Sequence, residues 1–156
     1  MKPFVANVRS PLGIWGVEGT DEGITRVYLP HEKRPPSRGV APRAVAAGAA
    51  QLEEYFHGTR RTFRVKLADS EATPFQRDVW NALSDIPYGE VRTYGEVAMA
   101  TNRPRAMRAV GNANHANPWP IFVPCHRVVA ASGLGGYGGG AQVKRFLLDL
   151  EGVHYS

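Results

Sequence analysis

The stretch TYGEVAMATNRPRAMRAVGNANHANP, Thr93 to Pro118, decides the fold predicted for the second half of this 156-residue chain. Thr93 and Glu96 have the spacing of a capping box, which predicts a short helix beginning at that point. The turn-forming run NRP follows, and a second helix is expected from about Pro104. Two short helices joined by a tight turn predict a helix-turn-helix.

Helices are also predicted on both sides of this motif. In TPFQRDVWNALSDIPYG, residues 73–89, Thr73 has the character of a helix cap, and Pro74 occupies the first helical position. The run AQVKRFLLDLEGV, residues 141–153, repeats apolar residues at helical spacing and predicts a last helix. Residues 71–156 are therefore expected to form a mostly helical subdomain.

The first half, residues 1–70, has a different pattern. Short runs rich in β-forming residues predict strands in PFVANV (3–8), LGIWGVEG (12–19), ITRVYL (24–29) and TFRVKL (62–67). The run AVAAGAAQLEEYFHG, residues 44–58, predicts a helix. No catalytic cluster occurs in this half, so a small α/β subdomain with a structural role is expected. The fold class predicted for the chain is α/β.

Composition restricts the compartment and the partners. The chain is 43% hydrophobic and 21% charged, which is typical of a globular protein. It has no apolar run of membrane-spanning length, and its first residues lack the apolar core of a secretory signal. The single cysteine cannot form an internal disulfide, which fits a reducing compartment. A cytoplasmic protein with no membrane partner is expected.

The formal net charge of +5 is unevenly placed. Between Val97 and Leu148 the chain has no acidic residue and six basic ones: Arg103, Arg105, Arg108, Arg127, Lys144 and Arg145. A long segment of one sign favours a polyanion-binding surface, such as one for nucleic acid. The second helix of the motif lacks a row of Gln and Asn side chains suited to reading base edges, so little sequence preference is expected.

The only cysteine lies in PWPIFVPCHRVVAASG, residues 118–133. Pro124 interrupts the apolar run before Cys125, and His126 and Arg127 follow, which favours a reactive thiolate. The glycine-rich run GLGGYGGG comes next and offers bare amides to a ligand. One cysteine and five scattered histidines show no ligand spacing, so no metal site is predicted.

The residues by themselves leave two kinds of protein open. The first is a helix-turn-helix regulator whose cysteine senses oxidation or alkylation. The second is a thiol hydrolase that uses Cys125 and His126.

Five runs between Thr73 and Val153 together resemble the methylated-DNA–protein-cysteine methyltransferases, which are the O6-alkylguanine-DNA alkyltransferases. They are PFQRDVWNALSDIPYGEVRTYGEVA, RAMRAVGNANHANP, IFVPCHRVV, SGLGGYGGG and KRFLLDLEG. The resemblance implies a ribonuclease H-like N-terminal subdomain and a C-terminal subdomain that binds DNA and transfers the alkyl group. It implies a monomer that acts on double-stranded DNA without a cofactor.

The reaction implied by this resemblance is single-turnover direct reversal of DNA damage. The alkyl group of O6-alkylguanine, and less readily that of O4-alkylthymine, passes irreversibly to Cys125 after base flipping. By the same resemblance, His126, acting through a water molecule, and Glu151 deprotonate Cys125.

The resemblance also assigns residues to the substrate pocket and to DNA. The pocket residues are Tyr94, Asn117, Pro120, Val128, Tyr137 and Gly138. Tyr94 would donate a hydrogen bond to guanine N3, and Gly138, where relatives often have serine, would keep a backbone N–H contact to O6. The DNA-binding residues are Tyr94, Arg103 and Arg108, with Arg108 filling the gap left by the extruded base.

Overall fold

The computed structural model describes residues 2–137 and 140–155. The chain divides into two compact units, Met1–Ser70 and Glu71–Ser156. The first unit contains a sheet and a helix and the second is mainly helical, so the predicted α/β class is confirmed. Within the described ranges, no helix combines the length and the hydropathy needed to cross a bilayer.

The first unit is built on an antiparallel sheet. Its strands β1 (Phe4–Ser10), β2 (Gly13–Thr20) and β3 (Gly23–Tyr28) pair in sequence order. Side chains alternate between the two faces of a strand, and on β2 this alternation buries Trp15 and Val17 completely. The three strands predicted before residue 30 are confirmed.

Helix α1 (Arg43–Phe56) packs against this sheet. Its completely buried side chains, Val45, Leu52 and Tyr55, recur at helical spacing, so one stripe of the helix faces the core. Burial of a large apolar side chain contributes about 1.5–3 kcal/mol, and the interior of this unit is assembled from such contacts. The predicted helix is confirmed.

The strand predicted over residues 62–67 is wrong. The segment makes a single bridge, between Leu67 and Ile24 at the start of β3. The backbone of Arg64 is occupied by a side chain, because its N–H donates to Gln51 Oε1 (2.8 Å) and its carbonyl accepts from Gln51 Nε2 (2.9 Å). The amide of Gln51 on α1 therefore takes the place that a neighbouring strand would have taken.

The second unit carries its described helices around a short parallel ladder. The helices are α2 (Pro74–Ser84), α3 (Tyr94–Ala100), α4 (Met107–His115) and α5 (Ala141–Leu150). The ladder pairs β4 (Arg92–Thr93) with β5 (Val128–Val129). Thr73 and Thr93 cap α2 and α3 through complete capping boxes. The sequence predicted the box at Thr93 and a cap at Thr73.

Helices α3 and α4 form the predicted helix-turn-helix, but α4 begins three residues after the predicted start at Pro104. Asn102 adopts the left-handed conformation (φ 59°), and the N–H of Ala106 donates to Arg103 O (2.9 Å). These features close a turn before the helix, so its first residue is Met107. Trp80 of α2 supports α4, because its indole N–H donates to Ala113 O (2.8 Å).

Candidate active site

Cys125 begins a 3-10 turn, Cys125–Arg127, immediately before β5. Its residue surface is 5% exposed. Two asparagines hold the backbone around it: Asn114 Nδ2 donates to Cys125 O (3.2 Å), and Asn117 Nδ2 donates to Val123 O (2.8 Å). Asn117 also accepts from the N–H of Trp119 (3.0 Å), so its side chain bridges both ends of the segment that precedes the thiol.

Glu151 binds the two side chains that follow Cys125. His126 Nε2 lies 2.7 Å from Glu151 Oε2, and Arg127 Nε donates to Glu151 Oε1 (2.9 Å). A second Arg127 nitrogen donates to Glu151 Oε2 (3.1 Å), and the N–H of Gly89 donates to Oε1 (3.1 Å). The carboxylate of Glu151 is completely buried, as is the imidazole of His126. One buried acid therefore orients both basic side chains of the turn.

This network determines the tautomer of His126. Burial raises the pKa of Glu151, but hydrogen bonds from His126 and Arg127 and the nearby positive charge outweigh it and hold this pKa well below its usual range, so the carboxyl is ionised. Burial lowers the pKa of His126, so its ring is neutral near pH 7. The shared proton then lies on His126 Nε2, and Nδ1 keeps its lone pair. Nδ1 is buried and has no hydrogen-bond partner among the described residues.

The thiol faces Tyr137. Its Sγ lies 3.8 Å from the Tyr137 hydroxyl oxygen. Burial raises the pKa of Cys125, although Asn117, Tyr137 and Lys144 each favour the thiolate. The resting thiol is therefore protonated near pH 7, and a base is required to produce the nucleophile.

Tyr94 lies beside the glycine-rich run. Its hydroxyl donates to Gly136 O (3.1 Å). Gly135 has φ +78°, and a Cβ there would lie 3.2 Å from Tyr94 Cε2 and 2.9 Å from Ala130 N. Glycine at this position lets the run pass close to the tyrosine ring. Burial raises the pKa of Tyr94, so its hydroxyl keeps the proton that it donates.

Pro120 and Val128 are buried on either side of Cys125. Pro120 forms a bridge with Val123, and Val128 O accepts a hydrogen bond from Lys144 Nζ (2.6 Å). Gly138, predicted as a pocket residue, lies outside the described residues. The structure thus gathers Cys125, His126 and Glu151 with the described pocket residues in one unit.

Comparisons with known proteins agree with this geometry. The family model described as 6-O-methylguanine DNA methyltransferase, DNA binding domain, matches residues 74–153. A methylated-DNA–protein-cysteine methyltransferase of Methanosarcina acetivorans is 47% identical over 154 residues, which cover 96% of this chain and 98% of that protein. The chain belongs to the methylated-DNA–protein-cysteine methyltransferase family.

Solved structures extend the similarity to the fold. A crystal structure of Mycobacterium tuberculosis O6-methylguanine methyltransferase superposes with a TM-score of 0.83 and 44% sequence identity, covering 96% of this chain and 93% of that one. A crystal structure of Mycobacterium tuberculosis OGT in complex with DNA has the same TM-score, identity and coverage. The similarity therefore includes both units of the methyltransferase chain.

The two predicted DNA-contacting arginines lie on the surface of this family member, apart from the buried network. Arg108 is exposed in the first turn of α4. Arg103 is exposed in the turn between α3 and α4, where it forms an ion pair with Asp78 (3.2 Å). Both arginines belong to the helix-turn-helix, whereas Tyr94 connects that motif to the pocket.

The predicted polyanion-binding segment needs a correction. Two of its six basic residues, Arg127 and Lys144, are buried and cannot belong to a surface. Arg127 is held by Glu151 and by Ile86 O (2.7 Å), and Lys144 is held by backbone carbonyls. The surface component of the segment is therefore smaller than the sequence suggested.

Two polar residues near Cys125, Asn114 and Lys144, were not predicted as part of the site, and Arg127 was expected beside the thiol but not as a partner of Glu151. A signal for Lys144 was present in the helical spacing. Lys144, Leu147, Leu148 and Glu151 follow the i, i+3, i+4, i+7 pattern of one helix face, and all four are buried. No comparable spacing indicated Asn114 or Arg127.

Proposed function

We propose that this chain repairs DNA by transferring an alkyl group from O6 of guanine to Sγ of Cys125. The observation that carries the proposal is the buried relay beside the thiol. Cys125 is followed by His126, whose Nε2–H is held by Glu151 and whose Nδ1 lone pair is unoccupied by any described residue. Such a histidine is suited to accept a proton from a thiol, directly or through one water molecule.

The transfer is a one-step displacement. His126 removes the proton of Cys125, and the thiolate attacks the alkyl carbon. The new S–C bond forms as the C–O6 bond breaks, and the electron pair of that bond leaves with guanine. Protonation of the guanine then yields the normal base. The thioether product is stable in water, so each chain accepts one alkyl group.

Glu151 supports this step without taking the proton. Arg127 donates two hydrogen bonds to it and the N–H of Gly89 a third, so the carboxylate remains an anion beside the imidazolium that forms. A fixed anion next to a developing cation stabilises the charged state. Glu151 therefore increases the basicity of His126 and keeps Nδ1 as the accepting atom.

The pocket residues receive their roles within the same proposal. Tyr94 donates a hydrogen bond to guanine N3. To do so, its hydroxyl gives up its present acceptor, the carbonyl of Gly136. The carbonyls of Cys125 and Val128 accept from the exocyclic amine of guanine. Pro120 and Tyr137 bound the pocket, and Asn117 keeps the turn in place. Held in this way, the electrophile lies within attacking distance of the thiolate.

DNA is bound by the helix-turn-helix in this proposal. Arg108 at the start of α4 enters the duplex and replaces the extruded base, and Arg103 contacts the backbone phosphates. The partner is double-stranded DNA with little sequence preference, bound by a monomer. We place the protein in the cytoplasm and expect slower transfer from O4-alkylthymine.

Intact-mass spectrometry tests the proposal directly. The protein is mixed with a duplex that contains one O6-methylguanine, and with the same duplex containing guanine as the control. We expect a gain of one methyl group per chain, mapped to Cys125, only with the methylated duplex. A protein that binds this duplex without a change in mass would contradict the proposed transfer.

A further inference from the structure

Lys144 is a buried cation that the proposed mechanism does not use. It lies in the first turn of α5, and its residue surface is 0% exposed. Its ammonium donates to Val128 O (2.6 Å) and to Gly136 O (3.1 Å). Within residues 2–137 and 140–155, no carboxylate forms an ion pair with it.

The other buried cation of this unit is arranged differently. Arg127 contacts the carboxylate of Glu151, so its charge is neutralised inside the protein. Among the described residues, the hydrogen-bond acceptors of Lys144 are two carbonyl oxygens. A buried ammonium without an anion is unfavourable, so another source of negative charge near Lys144 is expected at some stage of the reaction.

The two carbonyls that bind Lys144 point to that source. Val128 is three residues after Cys125, and Gly136 directly precedes Tyr137, whose hydroxyl oxygen lies 3.8 Å from Cys125 Sγ. Lys144 Nζ also lies 5.9 Å from the ring centre of Tyr94. The ammonium is therefore enclosed by the segments that form the thiol pocket. Among the protein's own groups in this pocket, the one that becomes anionic during transfer is Cys125.

We propose that Lys144 is a further positioning residue of the alkyl transfer, in which its buried ammonium is the counter-ion of the Cys125 thiolate. Its hydrogen bonds to Val128 O and Gly136 O also fix β5 and the segment before Tyr137. This arrangement keeps the Tyr137 hydroxyl directed at the thiol. This inference rests on the proposed function, because a thiolate forms only if Cys125 is the nucleophile.

The ionisation of Cys125 and Lys144 is coupled. Burial lowers the pKa of Lys144 to about 8, and the attraction of Cys125 opposes this shift. The other titratable or charged groups nearby come from several elements: Tyr94 on α3, His126 and Arg127 on the turn, Tyr137, and Glu151 after α5. The buried side chains of α2 are apolar, so that helix adds no charge to the interior.

The first experiment measures the pH profile of Cys125 alkylation in Lys144→Met and Lys144→Arg. Two reagents are used: free O6-benzylguanine, which reports transfer, and iodoacetamide, which alkylates any thiolate. We expect Lys144→Met to move both profiles to higher pH by about one unit, which is about a tenfold slower reaction below the midpoint. Lys144→Arg keeps the charge and should recover most of the rate. Lys66→Met, at an exposed position in the other unit, is the matched control.

The outcomes separate this inference from the proposed function. If iodoacetamide alkylates Cys125 of the unsubstituted protein but neither O6-benzylguanine nor a duplex that contains O6-methylguanine does, the proposed function fails. If both reagents react and Lys144→Met keeps the unsubstituted pH profile, the counter-ion assignment is wrong. A fall that is equal at every pH would also overturn it, because loss of packing alone has no pH signature.

A second measurement needs no substitution at Lys144. The chain has four lysines, Lys2, Lys33, Lys66 and Lys144, so 13Cε resonances are few. In a background where the three exposed lysines are arginine, the single resonance reports Lys144. We expect its titration midpoint to be lower in Cys125→Ser than with Cys125 present, because the thiolate that favours the ammonium is gone. Equal midpoints would overturn the proposal.

Discussion

The interiors of the two units differ in kind. The buried side chains that the structure describes in residues 2–70 are hydrophobic, as around Trp15 and Leu52. All the buried polar or charged side chains among the described residues lie in the second unit: Thr101, Asn114, His126, Arg127, Lys144 and Glu151. Five of these six bind the turn that begins at Cys125, belong to it, or bind the strand that follows it.

This contrast indicates which unit is organised for chemistry. Burial of apolar side chains stabilises a fold, whereas burial of a charge is unfavourable unless the charge is paired and hydrogen-bonded. The second unit contains such charges at the point where a proton must leave Cys125 and a thiolate must be stabilised. The first unit contains no charge of this kind among its described residues, which fits the structural role that the sequence predicts for it.

The largest effect is expected from Cys125→Ser. A serine hydroxyl is a far weaker nucleophile at neutral pH, so transfer from an O6-methylguanine duplex should be abolished. DNA binding should be kept, because Arg103 and Arg108 are exposed on the helix-turn-helix and apart from the buried thiol. Intact-mass spectrometry measures the loss of transfer, and a gel-shift titration measures the retained DNA binding. Methyl transfer by the serine variant would contradict the role of Cys125.

The next largest effect is the loss of folding stability when the glutamate of a glutamate–arginine pair is replaced. One such pair from each unit is compared. Glu151→Gln leaves Arg127 buried without its anion, which should lower the free energy of unfolding by about 3–5 kcal/mol. The matched change is Glu54→Gln, whose partner Arg60 is on the surface of the first unit, and it should cost at most about 1 kcal/mol. Urea denaturation measures both. Equal losses would show that the buried network is no more important than a surface pair.

The sequence predicted the elements better than it predicted the interior of the site. Strands, capping boxes and the helix-turn-helix depend on patterns within a few residues, so they were accessible. The wrongly predicted strand at residues 62–67 has the alternation of a strand. Its backbone at Arg64, however, hydrogen-bonds the side chain of Gln51, a contact that no local sequence pattern predicts. Likewise, the start of α4 depends on the left-handed residue Asn102, and asparagine also occurs in many other turns.

The candidate site shows the same division. Cys125 and His126 were singled out by the residues themselves and Glu151 by a family resemblance, and the structure places Glu151 Oε2 2.7 Å from Nε2 of His126, the residue that follows Cys125. The burial of Arg127 was not predicted, because a charged residue is normally assigned to the surface. Its partner Glu151 is 24 residues away, and only the folded chain brings the two together. Composition counts charge, but it does not show which charges are inside.

Arg108→Ala separates the surface of the second unit from its interior. We expect repair in a duplex to fall roughly ten- to a hundredfold, because extrusion of a base costs a few kcal/mol and the side chain no longer replaces it. The reaction with free O6-benzylguanine should be unchanged, because no base has to leave a stack. Arg38→Ala, which removes an exposed arginine from the first unit, is the control. Equal losses on both substrates would assign Arg108 to the pocket instead.

The smallest expected effect is the loss of folding stability at acidic pH. Burial keeps the folded pKa of His126 below its ordinary value of about 6.5, so the unfolded chain binds the proton first, and stability falls as the pH drops below that value. Glu151 has a lowered folded pKa, so its contribution is complete above about pH 4.3 and is lost as the pH falls through the folded value.

Urea denaturation between pH 7.5 and pH 3 distinguishes the two pH ranges, the upper one for His126 and the lower one for Glu151. The unsubstituted protein should lose stability below about pH 6.5 and again below about pH 4.3. The stability difference between it and Glu151→Gln should shrink only in the lower window, because glutamine has no proton to bind. The corresponding difference for Glu54→Gln should stay small throughout, because the Glu54 side chain is exposed to solvent and that of Arg60 is only half-buried. If the Glu151→Gln difference were constant down to pH 3, the buried carboxylate would not be the source of the acid sensitivity, and the contrast between the two interiors would lose its electrostatic basis.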